Sequence, residues 1–110
     1  MQKFSLDALA RELLKRAVGS SSGRTAETVY GGHEHMLRQT AVALTAGNTL
    51  AEHDSPGEAT LFVLRGRVRL HAGDVSWDGI HGDLIVIPTA RHSLEALEDS
   101  AVLLTVVKTI

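Results

Sequence analysis

Cysteine is absent from this sequence, and no run of apolar residues approaches the roughly 18 that a membrane-spanning helix needs. Without thiols, the chain can form no disulfide, no thiolate nucleophile and no Cys-ligated zinc or iron–sulfur centre. A bound metal would therefore need histidine and carboxylate ligands. Charged residues also interrupt the N-terminal segment, which lacks the continuous apolar core of a signal peptide. These absences lead us to expect a soluble, cytoplasmic protein that does not enter a membrane.

A strong charge of either sign is missing too. The 110 residues include 11 Lys and Arg and 13 Asp and Glu, for a formal net charge of −2. Proteins that bind nucleic acid rely on clustered cations that contact phosphates, so we expect no nucleic-acid partner. Nucleophilic catalysis lacks support as well, because no G-x-S-x-G pattern occurs. The length is typical of one domain that can bury a hydrophobic core.

One amphipathic helix is predicted near the start of the chain. Residues 5–18 carry leucine, alanine and valine at helical spacings, with Ser5 as the N-cap and Gly19 at the end. The run G-S-S-S-G that follows is typical of a flexible connector. We therefore divide the chain into the helix with its connector, 1–23, and a second unit, 24–110. We expect the connector to let the helix lie away from its own sheet, where it covers either a core or a partner subunit.

The rest of the chain indicates short strands separated by turns, with no further helical period. The expected strands are 26–30, 34–45, 48–53, 59–65, 67–71, 74–78, 83–87, 91–97 and 101–108. Strands of this length at this spacing are typical of an all-β sandwich or barrel. The pattern therefore predicts an all-β fold with one N-terminal helix.

Alternation of apolar and polar residues predicts which side chains face the interior. In the strand at 67–71, it places Leu70 inside and His71 at the surface. In the strand at 91–97, it places His92 inside. A histidine in the interior needs a hydrogen-bond partner, a metal or a ligand.

Two segments, 84–87 and 101–107, are apolar on both faces. Strands of this kind are covered on both sides, by a second sheet on one side and by a helix or another subunit on the other. We therefore expect a homodimer. Trp77 is predicted to pack at a sheet edge or at a subunit contact, in preference to stacking on a ligand.

Two segments share a plan of glycine, strand, turn and histidine. In the first, five residues separate Gly47 from His53, and the run closes at Gly66. The second begins at Gly82 and reaches His92 after a proline-containing turn. Two strands of a closed sheet would bring these two histidines together.

Over residues 34–108, this skeleton resembles the two motifs of the cupin family, in a small single-domain form with an added N-terminal helix. The resemblance implies a double-stranded β-helix, or jelly-roll, barrel with a metal site in its interior. Ala59 stands where the family has its metal-binding glutamate, and Ser55 where it has its second histidine. Of the four usual ligands, His53 and His92 remain.

Two imidazoles are too few for tight binding of a transition metal, which generally takes at least three protein ligands. His35 is a candidate third ligand if its strand neighbours that of His53. His33 and His35 share a face if their segment is a strand, although such a pair is more often a solvated strand end. The cofactor that the resemblance implies is one divalent ion, zinc, iron, manganese or nickel, held by His53 and His92. One further group, His35 or a carboxylate, would complete the site.

An organic ligand is the other occupant that we consider for the interior. The predicted walls include Phe62 and Leu94. Gln39 or Arg38 would add a polar anchor, according to which of them faces inwards. Together with the two motif histidines, these residues form the predicted ligand site.

Three functions are compatible with the sequence. They are a module that binds a small organic ligand or a weakly held metal, a metal-dependent dioxygenase or isomerase, and a structural dimer with a vestigial site. The missing glutamate and second histidine favour the first over the second. The sequence leaves open whether the protein is an enzyme and which ligand it binds.

Overall fold

A computed structural model of the protein describes residues 1–53 and 57–108, with the backbone alone for Glu52 and His53. The elements in this part of the chain are α1 (Leu6–Val18), β1 (Arg24–Gly31), β2 (Leu37–Leu44), β3 (Thr49–His53), β4 (Gly57–Arg65), β5 (Arg67–Ala72), β6 (Val75–Ile80), β7 (Leu84–Ile87), β8 (His92–Ala96) and β9 (Ser100–Lys108). Each predicted strand is present. The start of β2 is later than predicted because the residues before it form a turn. No helix in the described part is long and apolar enough to cross a membrane.

The strands form two antiparallel sheets. The five-stranded sheet has the order β1-β2-β9-β4-β7, and the four-stranded sheet has the order β3-β8-β5-β6. Many neighbours within a sheet are distant in sequence, as in a jelly roll. The prediction of an all-β jelly roll with one helix is therefore confirmed.

The two sheets face each other across a hydrophobic core. Leu61 and Val63 on β4 are buried there, as are Val68 and Leu70 on β5. The other buried members are Val42, Leu44, Ala59, Ile85, Ile87, Leu94, Ala96, Val102 and Val106. Their positions follow the period-two alternation of each strand. The inward orientation predicted for Leu70 is therefore confirmed.

Helix α1 packs on the outer face of the five-stranded sheet. Ser5 caps its start, where the Ala8 amide donates a hydrogen bond to Ser5 Oγ at 3.2 Å. The Thr25 hydroxyl on β1 donates to the carbonyl oxygen of Leu13 at 2.8 Å and ties the middle of the helix to the sheet. The helix thus covers the sheet of its own chain.

The prediction that the connector lets the helix lie away from its own sheet is wrong. The outer face beneath α1 carries the small side chains of Ala41, Ala43 and Ala101. These alanines let the helix approach closely, and Leu13 is fully buried against them. The apolar face of the helix therefore finds its partner on the same chain.

Beyond the helix, the outer face of the five-stranded sheet carries exposed apolar side chains. On β7, Leu84 is 60% exposed and Val86 is 65% exposed. The sequence predicts that a helix or another subunit covers the outer face of β7 and β9. Helix α1 covers part of β9, where Ala101 lies beneath it. The homodimer that would cover the side chains of β7 stays a prediction.

Candidate functional site

The two motif histidines lie on neighbouring strands of the four-stranded sheet. Strands β3 and β8 are antiparallel, and His53 is the cross-strand partner of His92. The register shifts between Leu50 and His53, which marks an irregularity just before the histidine. The side chain of His53 lies outside the described residues, as do Asp54 and Ser55. The backbone therefore brings the two positions together, and a contact between the two rings stays a prediction.

His92 is buried, with 5% of the residue exposed. Its Nδ1 lies 2.9 Å from the carbonyl oxygen of Ala90. A carbonyl oxygen only accepts hydrogen bonds, so we assign the proton to Nδ1. In the neutral ring, Nε2 then carries the lone pair and acts as an acceptor or as a metal ligand. The Ala90 carbonyl thus sets both the orientation and the tautomer of this imidazole.

His92 lines a small cavity between the two sheets. The cavity volume is about 30 Å³, which is room for about two water molecules. The other lining residues are Val42, Leu50, Leu61, Leu70, Ile87, Leu94, Val102 and Leu104. Pockets for organic ligands span roughly 300–1,000 Å³. The described part of the interior is therefore too small for an organic ligand unless the ligand extends towards the surface.

A larger concave surface adjoins this cavity, where β5 ends, β6 begins and β7 leads into β8. We call it the mouth groove, and its volume is about 230 Å³. It is lined by Leu70, Ala72, Val75, Ser76, Trp77, Pro88 and Ala90. Leu70 also lines the His92 cavity, and Ala90 accepts the hydrogen bond from His92. The groove and the buried imidazole are therefore adjacent.

Trp77 forms one wall of the mouth groove. It lies on β6, the edge strand of the four-stranded sheet, and is 55% exposed. Its cross-strand partner is Leu70, so the two side chains share the inner face of the sheet. The indole thus lies at a sheet edge, as predicted, with one side turned to the groove.

Comparison with known proteins gives matches among solved structures. No protein-family model matches the sequence, and no curated protein matches it. A conserved protein of unknown function from Streptococcus pyogenes is 27% identical, with 83% of this chain and 79% of that chain covered and a TM-score of 0.74. An RmlC-like cupin from Desulfovibrio desulfuricans is 25% identical, with 76% of this chain and 81% of that chain covered and a TM-score of 0.67. By its fold, this chain is a small cupin.

The same fold also occurs within a longer enzyme. Salicylate 1,2-dioxygenase from Pseudoaminobacter salicylatoxidans is 20% identical, with 92% of this chain and 31% of that chain covered and a TM-score of 0.73. A similarity at this level of identity shows the fold, and one fold supports many unrelated reactions. The cupin fold implied by the two motifs is confirmed, and the function has to be argued from the site.

Two residues predicted to line the interior of this cupin lie on its outer face. On β2, Val42 is buried between the sheets, so Gln39 has the opposite orientation. The Gln39 amide donates to Thr105 Oγ1 at 3.2 Å on that outer face. On β4, Phe62 follows the buried Leu61 and therefore also faces outwards. The prediction that Gln39 and Phe62 line the interior is wrong, because the alternation of β2 and of β4 places both side chains on the face opposite the core.

Leu94 lies where the sequence predicts it. It is buried and lines the cavity together with His92. Arg38, the alternative to Gln39, has the inward orientation on β2, but it is exposed near the start of the strand, opposite Val106. Of the predicted ligand site, the described side chains that meet in the interior are His92 and Leu94. The mouth groove is the part that the sequence analysis missed.

His35 does not complete a site with His92. It lies in the turn between β1 and β2, where its ring meets Tyr30 edge-on with 5.3 Å between ring centroids. Strand β2 pairs with β1 and β9, whereas β3 lies in the other sheet. His35 was a candidate ligand only if its strand lay beside that of His53. This condition is not met. The prediction of His35 as a third ligand is wrong, and His33 lies in the same turn.

The described side chains of this cupin do not fit a transition-metal centre. Among them, no three His, Asp or Glu residues lie close enough together to hold an ion. Ala59, at the position of the family's glutamate, is 7% exposed and has Ile87 and Val106 as cross-strand partners. An apolar wall thus replaces the inward carboxylate. A metal would depend on His92 together with side chains outside the described part, such as that of His53.

The described charged side chains of the four-stranded sheet lie on its outer face. Asp78 on β6 accepts hydrogen bonds from Arg69 at 2.6 Å and from Arg67 at 2.9 Å. These two guanidinium groups lower the pKa of Asp78 to about 2. On the same face, Nε2 of the partly exposed His71 lies 2.9 Å from a Glu95 carboxylate oxygen. The mouth groove opens on the other face, and no ionisable side chain is among its described lining residues.

The substitution Asp78→Asn should weaken the dependence of stability on acid pH. The folded-state pKa of about 2 lies below the ordinary value of 3.8, so the carboxylate stabilises fully above that value and loses its effect as the pH falls to about 2. The effect is small and sensitive to salt, because the side chain is partly exposed. Urea unfolding at about pH 6 and about pH 2.5 should show a smaller drop in unfolding free energy for the variant than for the wild type. Asp7, whose pKa is lowered by Arg65, is present in both proteins and cancels. An equal drop in unfolding free energy for the two proteins would show that the pairing of Asp78 with Arg67 and Arg69 does not stabilise the fold.

Proposed function

We propose that this small cupin is a binding module that holds a small organic ligand at one end of its barrel, over the mouth groove and the His92 cavity. One observation carries the proposal. The groove and the cavity share Leu70, and Ala90 of the groove fixes the ring of His92. An apolar recess beside one oriented polar group is the usual composition of a ligand pocket.

The chemistry of the described residues favours binding over catalysis. With the proton on Nδ1, Nε2 is the acceptor atom of the His92 ring, and its chemistry suits an O–H or N–H group of a ligand. General acid–base chemistry usually pairs such an imidazole with a second proton-transferring group. Ala59 occupies the position of the family's carboxylate, and the described lining of the mouth groove includes no carboxylate, lysine or arginine. A ligand held here is therefore bound by apolar contact and by one hydrogen bond.

A metal-dependent enzyme of the dioxygenase or isomerase type is the second candidate. It is favoured by the cross-strand register of His53 and His92, which would place two imidazole ligands on adjacent strands. Such an enzyme would hold a zinc, iron, manganese or nickel ion. The described side chains supply one interior imidazole to that ion, so we rank this function second.

We also propose that the protein assembles as a homodimer. The support is the exposed apolar surface of the five-stranded sheet, to which Leu84, Val86 and Val107 contribute. Exposed apolar surface of this kind commonly marks an interface, and most homodimers use the same patch on both subunits. A structural dimer with a vestigial site is the function that would remain if neither a ligand nor a metal bound to the barrel.

The variant His92→Asn tests the binding function. The asparagine amide can still donate to the Ala90 carbonyl, as Nδ1 does, but it cannot replace the Nε2 lone pair. We expect the variant to fold and to bind ligands at least tenfold more weakly, because one hydrogen bond is lost in an apolar site. Compounds are first found by their effect on the ¹⁵N resonances of the His92 ring, and affinities are then measured by calorimetry.

The exposed His81 provides an internal reference for this screen, since its ring resonances should not move. Equal affinity of the wild type and His92→Asn for every compound would contradict a role for His92 in binding. Stoichiometric zinc, iron, manganese or nickel that is lost in His92→Asn would favour the enzyme instead. A melting temperature that none of these ions changes would count against the enzyme.

A further inference from the structure

The mouth groove has the shape of a slot between two separate segments. Trp77 and Val75 form one wall, on the inner face of the edge strand β6. Pro88 and Ala90, in the segment between β7 and β8, form the other wall. Leu70 belongs to the buried core and also lines the groove. One wall belongs to the four-stranded sheet and the other to the segment that connects the two sheets, so the barrel sets their spacing.

The size of the groove limits what it can hold. Its volume of about 230 Å³ exceeds the roughly 150 Å³ of an apolar cavity that takes up benzene. It is smaller than the roughly 300 Å³ at which pockets for drug-sized ligands begin. A compound with a single ring and a short substituent therefore fits within the groove, whereas a fused multi-ring compound would extend beyond it.

The polarity of the groove limits the ligand further. Among the residues that the structure describes, its lining includes no ionisable side chain, and Arg67 and Arg69 pair with Asp78 on the other face of the sheet. Ser76 lines the groove but is the cross-strand partner of His71, so its hydroxyl belongs to that other face. A charged ligand would lose hydration in the groove, and the described lining residues offer no charged partner to offset this cost. A sugar would likewise leave most of its hydroxyl groups without hydrogen bonds.

We propose that the mouth groove binds a neutral compound with a single flat ring, which stacks on the indole of Trp77. This inference rests on the proposed function, and it names the chemical class of the ligand. Flat rings prefer an offset or edge-to-face arrangement on an aromatic side chain, and the exposed part of Trp77 provides that surface. The ring displaces water from the apolar walls, and its substituent extends towards His92.

The sole tryptophan of the chain gives a direct readout, because the indole N–H of Trp77 produces one side-chain resonance in a ¹H–¹⁵N spectrum. The probes are benzyl alcohol, benzoate and cyclohexylmethanol. Benzyl alcohol should shift this resonance in a saturable way, with a Kd of about 1 mM. Benzoate has the same ring with a charge, and we expect it to bind at least tenfold more weakly. Cyclohexylmethanol, whose ring is not flat, should also bind more weakly.

Two matched variants locate the binding site. Ala90→Leu fills the groove and keeps the backbone carbonyl that holds His92, so it should abolish the shift caused by benzyl alcohol. Val86→Leu adds bulk on the exposed outer face of the five-stranded sheet, and it should leave the shift unchanged. Binding that persists in Ala90→Leu would overturn the inference. Equal affinity for benzyl alcohol and benzoate would overturn it as well.

Two further results would also contradict it. A Trp77 resonance that no probe shifts would show that the groove takes no ring. A resonance that moves with protein concentration alone would show that a second copy of the chain occupies the groove.

The results also distinguish this inference from the proposed function. If benzyl alcohol binds equally well to the wild type and to His92→Asn, the ring site stands and the role of His92 in binding fails. If other compounds shift the His92 ring while none of the three probes shifts Trp77, the proposed function stands and the assignment of a flat, neutral ligand fails.

Discussion

Leu13→Ala is expected to lower the free energy of unfolding by about 3–4 kcal/mol. Leu13 is fully buried between α1 and the outer face of the five-stranded sheet. The sheet beneath it presents Ala41, Ala43 and Ala101, whose short side chains cannot move to fill the space. The substitution therefore leaves a cavity in addition to the lost transfer free energy. Urea unfolding measures the change, and the melting temperature should fall by roughly 10–15 °C.

Val18→Ala is the matched control for this helix. Val18 also belongs to α1, but it is exposed. Its truncation should change the free energy of unfolding by no more than about 0.5 kcal/mol. If Leu13→Ala were as mild as the control, the helix would not rest on its own sheet in solution, and the alternative of a partner subunit beneath it would return.

Much of the fold follows from local signals in the sequence. Ser5 and Gly19 mark the two ends of α1, and both act through backbone groups of the nearest turn. Gly66 and Gly73 mark the two ends of β5, since each has a positive φ that other residues rarely adopt. Signals of this kind depend on residues a few positions apart. A single sequence therefore carries enough information to place the helix and the strands.

The position of the helix depends on long-range pairing instead. The apolar face of α1 would fit many apolar surfaces. Its actual partner forms only when β2 pairs with β9 and brings Ala43 opposite Ala101. Nothing in the local pattern around either alanine specifies this register. The sequence thus predicts that the helix covers something, but not what it covers.

The interior side chains were predictable only where a strand alternates clearly. In β8, the polar residues Ser93 and Glu95 separate His92 from Leu94 and from the next inward residue, and the orientation follows. In β4, the run Leu-Phe-Val-Leu is apolar on both faces. Such a run does not show which of its side chains face the core, because one face packs in the core and the other packs outside it. Phe62 was assigned to the wrong face for this reason.

The mouth groove combines side chains from β5, β6 and the segment before β8, so no single motif encodes it. One signal for it was nevertheless present. On β6, Val75 and Trp77 alternate with the polar Ser76 and Asp78. This alternation assigns the indole to the inner face, beside Leu70 in the observed register. Without it, Trp77 is predicted at a sheet edge or at a subunit contact, in preference to stacking on a ligand.

Gly66→Ala is expected to lower the free energy of unfolding by about 2–5 kcal/mol. Gly66 joins β4 to β5 with a φ of +80°, a conformation that costs other residues about 1–2 kcal/mol. A Cβ at this position would also lie 2.3 Å from the carbonyl oxygen of Asp99 and 2.4 Å from Ser100 Oγ. Ser100 Oγ is itself fixed, since it accepts from the Arg67 amide at 3.0 Å and lies within hydrogen-bond distance of the Arg67 carbonyl. The clash must therefore move backbone, which adds about 1–3 kcal/mol.

Gly47→Ala separates the two contributions, because Gly47 has a similar φ of +88° and its Cβ would meet no described atom within 4 Å. We expect Gly47→Ala to destabilise by about 1–2 kcal/mol, the backbone term alone. Urea unfolding of both variants then gives the steric term as the difference between them. A difference near zero would mean that the segment at Asp99 and Ser100 yields without loss of stability. A difference of about 2 kcal/mol or more would show that the close approach of this segment to Gly66 fixes the start of β5. Strand β5 carries Leu70, so the same approach would then hold the side chain that separates the His92 cavity from the mouth groove.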